Sequence, residues 1–130
     1  MPSLTTKTAP RRVVLIVDDS RVVREQVVDA LRGAGYDVVQ AANGAQGLAI
    51  VKETPGLALA VCDVNMPVMG GLELLEALKT GGLLSFPVVM LTSEGQPELL
   101  ARARSLGAKA WVMKPVVPES LVAVVTKLAR

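Results

Sequence analysis

The chain has 130 residues, of which 51% are hydrophobic and 2% aromatic, and its formal net charge is +2. This length fits one folded domain with one core, and the hydrophobic fraction excludes a disordered chain. A near-neutral chain with neither a basic stripe nor stacking aromatics is not expected to bind nucleic acid. Histidine is absent, so the chain cannot carry a Ser-His-Asp triad, a histidine-ligated zinc ion or a phosphohistidine.

Residues 1–11 contain bases but no acid and precede the first apolar segment. They are predicted to form a flexible N-terminal tail, with the folded domain spanning residues 12–130. The tail lacks the apolar centre of a secretory signal, and no apolar run approaches the roughly 18 residues that cross a bilayer. The single cysteine, Cys62, ends an apolar segment and is predicted to be a buried, reduced thiol. We therefore expect a cytoplasmic protein that does not insert into membranes.

From residue 13 onward, five short apolar segments alternate with five segments of helical periodicity. The predicted strands are residues 13–17, 36–40, 57–62, 88–91 and 110–113. The predicted helices are residues 20–32, about 43–53 with Asn43 as the cap, 71–79, about 97–107, and a last one that begins at Pro118. Short strands that are apolar on both faces are typical of a covered parallel sheet. The sequence therefore predicts a doubly wound α/β fold, a five-stranded parallel sheet with helices on both faces.

Apolar residues at helical spacing mark the faces that the first and last helices are expected to bury. In the first helix these residues are Val23, Val27, Ala30, Leu31 and Ala34. In the last helix they are Leu121, Val124, Val125 and Leu128. Both helices are therefore predicted to pack one face against the sheet.

Charged and hydroxyl residues stand where four of the predicted strands end. The first strand is followed by Asp18 and Asp19, the third by Asp63, the fourth by Thr92 and the fifth by Lys114. In an open parallel sheet, the carboxyl ends of the strands border the crevice in which ligands bind. Three carboxylates, a hydroxyl and an ammonium group are therefore expected to converge at one edge of the sheet.

Three carboxylates at one site would repel one another strongly. Two unit charges ~4 Å apart cost about 4 kcal/mol at an effective dielectric of ~20, so Lys114 alone cannot offset three acids. A divalent cation with oxygen ligands would offset their charge. This favours Mg²⁺, with Mn²⁺ as an alternative. The first strand-to-helix turn reads DDSRVVR rather than a glycine-rich phosphate loop. Its acids argue against a nucleotide or flavin site.

Taken singly, each of these residues also has an ordinary structural interpretation. Residues 18–20 could cap a helix, residues 63–65 could form a turn, Thr92 could cap the next helix, and Lys114 could be a solvated lysine. Their coincidence at one predicted edge favours the functional interpretation.

Four segments, in this order along the chain, resemble the receiver domain of bacterial two-component response regulators, most closely the single-domain chemotaxis type. The segments are VVLIVDDSRVVR, DVNMPVMGG, PVVMLTSE and GAKAWVMKP. The resemblance extends from about Arg12 to the C terminus and implies a flavodoxin-like strand order, 2-1-3-4-5.

The resemblance implies a chemical role for each matching residue. Asp63 matches the residue that accepts a phosphoryl group from the phosphohistidine of a partner histidine kinase. Asp19, Asp63 and the backbone carbonyl of Asn65 match direct Mg²⁺ ligands, and Asp18 matches a residue that acts mainly through water. Lys114 matches the lysine that pairs with the phosphoryl oxygens.

The resemblance also implies a switch. Thr92 matches the hydroxyl that turns towards the phosphoryl group, and Trp111 matches the aromatic residue whose rotamer follows it. Asn65 and Glu94 match the two positions that tune hydrolysis of the acyl phosphate. The peptide bond before Pro115 is expected to be cis, as in the family.

The chain ends soon after the last predicted helix, so we expect output through protein binding. The resemblance implies that the responsive surface consists of the fourth helix, fifth strand and fifth helix. The resulting hypothesis is a monomeric, phosphorylation-switched response regulator in chemotaxis or motility control, which catalyses only its own phosphorylation and dephosphorylation.

Two alternatives stay open. One is a Mg²⁺-dependent phosphoaspartate phosphatase of the haloacid-dehalogenase kind, although that family places a DxD motif where this chain has Asp18-Asp19. The other is a receiver-like scaffold that is never phosphorylated.

Overall fold

Five parallel strands form one sheet in a computed structural model that describes residues 11–66, 68–93 and 97–130. The strands are β1 (Val13–Val17), β2 (Asp37–Ala41), β3 (Leu59–Asp63), β4 (Val88–Thr92) and β5 (Ala110–Met113). The helices are α1 (Arg21–Gly33), α2 (Gly44–Glu53), α3 (Gly71–Thr80), α4 (Pro97–Ser105) and α5 (Pro118–Leu128). The strand order is β2-β1-β3-β4-β5, which confirms the predicted doubly wound fold and its order.

The sheet separates two apolar layers, and the alternation of side chains along β1 assigns residues to them. Leu15 and Val17 point into one layer, which packs under α2, α3 and α4. Val14 and Ile16 point into the other layer, which packs under α1 and α5. All four are fully buried, as expected for a strand in the middle of a sheet covered on both faces.

Side-chain caps fix where the first two helices begin. Ser20 Oγ accepts a hydrogen bond from the Val23 amide at 3.2 Å, and α1 starts at the next residue. Asn43 Oδ1 accepts from the Gln46 amide at 2.9 Å, which confirms the predicted cap of α2. These caps satisfy amide groups that have no partner within a helix.

Two predicted strands are displaced along the chain. β2 runs from residue 37 to 41 rather than 36 to 40, because the Tyr36 amide donates to the Leu31 carbonyl at 3.0 Å and so belongs to the end of α1. β3 runs from residue 59 to 63 rather than 57 to 62. Its last residue, Asp63, pairs with Leu91 of β4, so this acid is the final residue of a strand rather than the first residue after it.

One predicted core residue is wrong. Ala34 is exposed, because α1 ends at Gly33 and Ala34 serves as its C-cap, beyond the point where helical periodicity applies. Val28, which the predicted face omitted, is buried instead. In α5, two of the four predicted residues, Leu121 and Val125, are fully buried, and the other two are half-buried at the edge of the same layer.

Cys62 is buried, as predicted, and burial together with the charge of Asp63 raises the pKa of its thiol to about 12. The predicted N-terminal tail lies outside the described residues except for Arg11. The guanidinium group of Arg11 donates to the carbonyl oxygens of Gly35 and Arg32, each at 3.1 Å. Among the described residues, no helix has the length and apolar character needed to span a bilayer.

Candidate functional site

The carboxyl ends of β1 and β3 bring three acids together. These strands are neighbours, with Val17 opposite Cys62, so the residues that follow or end them meet at one edge. One carboxylate oxygen from each of Asp18, Asp19 and Asp63 lies within 4.8 Å of the others. Asp18 and Asp63 are buried, whereas Asp19 is exposed. The structure therefore places the three predicted acids in one cluster, open to solvent at Asp19.

Asp18 is held through both its backbone and its side chain. Its amide donates to the Ala41 carbonyl at 3.1 Å, which extends the β1–β2 ladder by one bond. Its Oδ1 accepts from the Ser20 amide at 2.8 Å, and its carbonyl oxygen accepts from Arg24 Nη1 at 2.8 Å. Asp18 consequently has little freedom to move away from its neighbours.

Lys114 reaches into the acid cluster from the end of β5. Its Nζ lies 3.0 Å from Asp18 Oδ2 and 3.3 Å from Asp63 Oδ2. Its amide donates to the Thr92 carbonyl at 2.8 Å and continues the pairing of β4 with β5. The Lys114–Pro115 peptide bond is cis, as the resemblance implied. One ammonium group thus contacts the two buried carboxylates at once.

Burial and mutual repulsion shift the titration of this cluster. Desolvation, followed by the charge of Asp18, raises the pKa of Asp63, and the opposing effects of Lys114 and of the Asn65 amide do not cancel that rise. For Lys114, desolvation lowers the pKa, but its contacts with Asp18 and Asp63 outweigh this effect and raise the pKa overall. The ionised form of Asp63 is therefore costly, while the charged form of Lys114 is favoured.

The donor set fits a hard divalent cation. Three carboxylates face one ammonium group, which leaves excess negative charge. The buried Asp18 Oδ2 has no hydrogen-bond donor among the described residues. It lies 3.0 Å from Lys114 Nζ, a contact between opposite charges. An oxygen-rich cluster with an unsatisfied buried oxygen is the kind of site that Mg²⁺ or Mn²⁺ occupies.

Three of the other predicted site residues lie among the described residues. The Asn65 amide donates to the Asp63 carboxylate, which places Asn65 beside it with an exposed side chain. Thr92 is buried at the end of β4, opposite Met113. Trp111 is half-buried on β5. Glu94, the second predicted tuning residue, lies outside the described residues.

The ring of Trp111 contacts an arginine of α4. The guanidinium carbon of Arg104 lies 5.2 Å from the ring centroid, within the range of a cation–π contact. Arg102, on the same helix, instead forms an ion pair with Glu76 of α3, with 3.7 Å between Nη2 and Oε2. The tryptophan is thereby linked to the helix that the resemblance assigns to the responsive surface.

Gly71 supports the site in a way that the sequence did not reveal, since residue 71 was predicted only as the first residue of the third helix. A Cβ at residue 71 would overlap the carbonyl oxygen of Asp63 and lie 2.8 Å from Met90 Cε. α3 starts at this glycine, directly behind the backbone of Asp63. The absence of a side chain lets the helix approach the strand end that carries the acid.

Replacing Gly71 by alanine is therefore expected to destabilise the protein by about 2–3 kcal/mol, because the added methyl group forces apart a well-packed contact. Urea unfolding measures this loss. Gly33→Ala is the matched control, since nothing lies within 4 Å of a Cβ at that position and the change should be neutral or slightly stabilising. Equal stability of the two variants would contradict the assigned role of Gly71.

Comparisons with known proteins agree with this geometry. The family described as the response regulator receiver domain matches residues 14–126. The chain is 38% identical over 114 residues to the chemotaxis protein CheY of Treponema pallidum, covering 83% of this chain and 75% of that protein. It is 37% identical over 114 residues to the phosphate regulon transcriptional regulatory protein PhoB of Pseudomonas aeruginosa.

The match to PhoB covers 86% of this chain but 49% of that protein, so the chain spans about half the length of this relative. A solved structure of the chemotaxis protein CheY4 of Vibrio cholerae superposes with a TM-score of 0.85 at 37% identity, covering 92% of this chain and 99% of that one. The resemblance read from the four sequence segments is confirmed. The chain belongs to the response regulator receiver domain family.

Proposed function

We propose that the chain is a phosphorylation-dependent switch in which Asp63 accepts a phosphoryl group from the phosphohistidine of a partner histidine kinase. The observation that carries this proposal is the surroundings of Asp63. Its carboxylate lies within 4.8 Å of those of Asp18 and Asp19 and 3.3 Å from Lys114 Nζ. A nucleophilic carboxylate beside a cation site and a fixed ammonium group suits phosphoryl transfer.

Asp18, Asp19, Asp63 and the carbonyl of Asn65 would hold Mg²⁺. When bound, the ion neutralises charge on the carboxylates and on the equatorial phosphoryl oxygens. An Asp63 oxygen forms the new bond to phosphorus as the bond from phosphorus to the imidazole nitrogen breaks, and the imidazole leaves. Lys114 pairs with the phosphoryl oxygens during this transfer, and the Thr92 hydroxyl donates to them afterwards.

Two positions would control how long the acyl phosphate lasts. Asn65 lies beside the Asp63 carboxylate with its side chain in solvent, where it can admit or exclude an attacking water. Glu94, two residues after Thr92 in sequence, is the second tuning residue by resemblance. The only catalysis expected of the chain is its own phosphorylation and dephosphorylation.

The output surface would consist of α4, β5 and α5, with Arg102, Arg104, Lys109 and Trp111 among its residues. Thr92 and Trp111 lie on adjacent strands. A movement of Thr92 towards a phosphoryl group would therefore change the space available to the side chain of Trp111. The similarity to the chemotaxis proteins CheY and CheY4 supports a role in chemotaxis or motility control. For this role we propose a monomeric, cytoplasmic protein. The membership in the receiver family speaks against the phosphatase alternative.

Fluorescence of Trp111 tests this function, because it is the only tryptophan of the chain. Mg²⁺ alone, and then beryllofluoride with Mg²⁺, should each change the emission, the second by mimicking a phosphoryl group on Asp63. The absence of any response, together with no acid-labile phosphate after treatment with acetyl phosphate, would contradict the proposal. It would favour the unphosphorylated scaffold instead.

The contact between Arg104 and Trp111 yields a related expectation. Arg104→Leu removes a cation–π contact worth about 0.5–1 kcal/mol. This contact would oppose the rotamer change of Trp111 that the resemblance implies. Half-saturation of the variant with beryllofluoride should therefore need about two- to fivefold less of the reagent. Arg102→Leu is the matched control, because it removes the same charge from α4 but not the ring contact. Equal shifts in the two variants would mean that charge alone, and not the stacking on Trp111, sets the response.

A further inference from the structure

Arg24 connects three elements at the edge of the acid cluster. It lies on the first turn of α1, and its side chain turns back to the end of β1, where Nη1 donates to the Asp18 carbonyl oxygen at 2.8 Å. Its Nε donates to Gln40 Oε1 of β2 at 3.2 Å. Gln40 pairs with Ile16 in the sheet. One guanidinium group therefore joins α1 to the ends of β1 and β2.

The carbonyl that Arg24 binds belongs to the peptide group between Asp18 and Asp19. The orientation of this peptide plane sets the direction in which the Asp19 side chain leaves the backbone. Asp18 has further anchors, including the Ser20 amide and Lys114. Asp19 is exposed, and no described residue donates to its carboxylate or forms an ion pair with it. The position of the Asp19 carboxylate therefore depends on its backbone.

Repulsion makes this support necessary. The carboxylates of Asp18, Asp19 and Asp63 lie together with one ammonium group among them, which favours opening of the β1–α1 turn. A hydrogen bond from a charged donor to a carbonyl is about twice as strong as a neutral one and fixes direction as well. Arg24 supplies such a bond at the peptide group that the repulsion would displace.

We propose that Arg24 is a positioning residue for cation binding, which holds the Asp18–Asp19 peptide so that both carboxylates face the same ion. This inference rests on the proposed function of the acid cluster. Arg24 acts through the backbone of Asp18 and contacts neither the cation nor the phosphoryl group.

The sign of the expected effect separates positioning from simple electrostatics. Removing a positive charge near a cation site strengthens cation binding by Coulomb's law. Loss of a positioning contact weakens it, by about tenfold or more where a residue orients a metal ligand. The two interpretations therefore predict opposite changes for the same substitution.

Titration of the full chain with Mg²⁺ by isothermal calorimetry near neutral pH is the test. Arg24→Met keeps the alkyl stem and the helix propensity but removes both donors. Arg21→Met is the matched control, since Arg21 is on the same helix turn, carries the same charge and pairs only with Glu25 on the surface. Arg24→Lys restores one charged donor that can reach the Asp18 carbonyl. Melting without Mg²⁺ checks that each variant is folded.

We expect the Mg²⁺ dissociation constant to rise about tenfold in Arg24→Met, to stay equal or fall in Arg21→Met, and to return to within about threefold of wild type in Arg24→Lys. Unchanged or tighter binding by folded Arg24→Met would overturn the inference. If Arg24→Met does not fold, Arg24→Lys decides alone, and a tenfold loss in that variant would overturn it. A wild-type chain that binds no Mg²⁺ would overturn the proposed function itself.

Discussion

Replacing Asp63 by asparagine is expected to abolish phosphorylation of the chain by acetyl phosphate in the presence of Mg²⁺. The amide keeps the shape of the side chain but lacks the ionised oxygen that attacks phosphorus. Removal of a nucleophile of this kind should lower the rate by more than about 10³-fold. The response of Trp111 to beryllofluoride should disappear with it. Intact-mass spectrometry and tryptophan fluorescence measure the two effects.

The same substitution should make the protein more stable near neutral pH when no divalent ion is present. Asparagine removes a buried charge that desolvation and Asp18 make unfavourable, and its loss should increase the free energy of unfolding by an amount on the order of 1 kcal/mol. Lys114 still has Asp18 as a partner in this variant.

The pH dependence gives this stabilisation a sign that can be checked. The pKa of Asp63 is higher in the folded protein than in the unfolded chain, so the folded state binds more protons between the two values. The contribution of Asp63 to the free energy of unfolding is fully present below the pKa that Asp63 has in the unfolded chain. It is lost as the pH rises through the higher pKa that Asp63 has in the folded protein. Urea unfolding at several pH values should show this loss in the wild type and not in Asp63→Asn.

Asp29→Asn is the matched control, because Asp29 is an exposed acid on α1, remote from the strand ends. It should leave phosphorylation, fluorescence and the pH profile unchanged. Phosphate incorporation by Asp63→Asn at a rate near that of the wild type would contradict the assignment of the nucleophile.

Replacing Lys114 by methionine is expected to have the second largest effect. Its ammonium group lies 3.0 Å from Asp18 and 3.3 Å from Asp63, and 21% of its side chain is exposed. Breaking a buried ion pair by removing one partner costs about 3–5 kcal/mol, and this partial exposure reduces the expected cost to about 2–3 kcal/mol. The variant should also be phosphorylated more slowly, because the phosphoryl oxygens lose their charged partner.

Mg²⁺ should rescue the stability of Lys114→Met more than that of the wild type. Without the ammonium group, the acid cluster carries more negative charge, so the ion binds more tightly and stabilises the folded state by mass action. Lys109→Met is the matched control, because Lys109 is exposed at the opposite end of β5. Thermal melts with and without Mg²⁺ measure the effect. An equal gain in melting temperature for both variants would contradict the role given to Lys114.

The fold was predictable because strands and helices differ in apolar period. A segment such as Val13–Val17 is apolar on both faces, and a strand covered on both sides buries four of its five residues. The convergence of the acids with Lys114 was predictable for a related reason. Parallel strands all end at the same edge of the sheet, so residues at strand ends such as Asp18, Asp63 and Lys114 must meet there.

The contacts that refine the site could not be read from the sequence. The bond from Arg24 to the Asp18 carbonyl depends on a side chain that turns back over a helix end, and many surface arginines have the same sequence context. The need for glycine at residue 71 depends on how closely α3 approaches the end of β3. The error at Ala34 arose because a helix ended one residue before its apolar pattern did. Each of these features is set by tertiary packing.

Mapping the phosphorylated residue by borohydride trapping tests the central claim most directly. Borohydride reduces the acyl phosphate of an aspartate to homoserine, which mass spectrometry of peptides can locate. After treatment with acetyl phosphate, homoserine should be found at residue 63 alone, and only when Mg²⁺ is present. Trapping at Asp18 or Asp19, or equal trapping at Asp63 when EDTA removes the ion, would contradict the account.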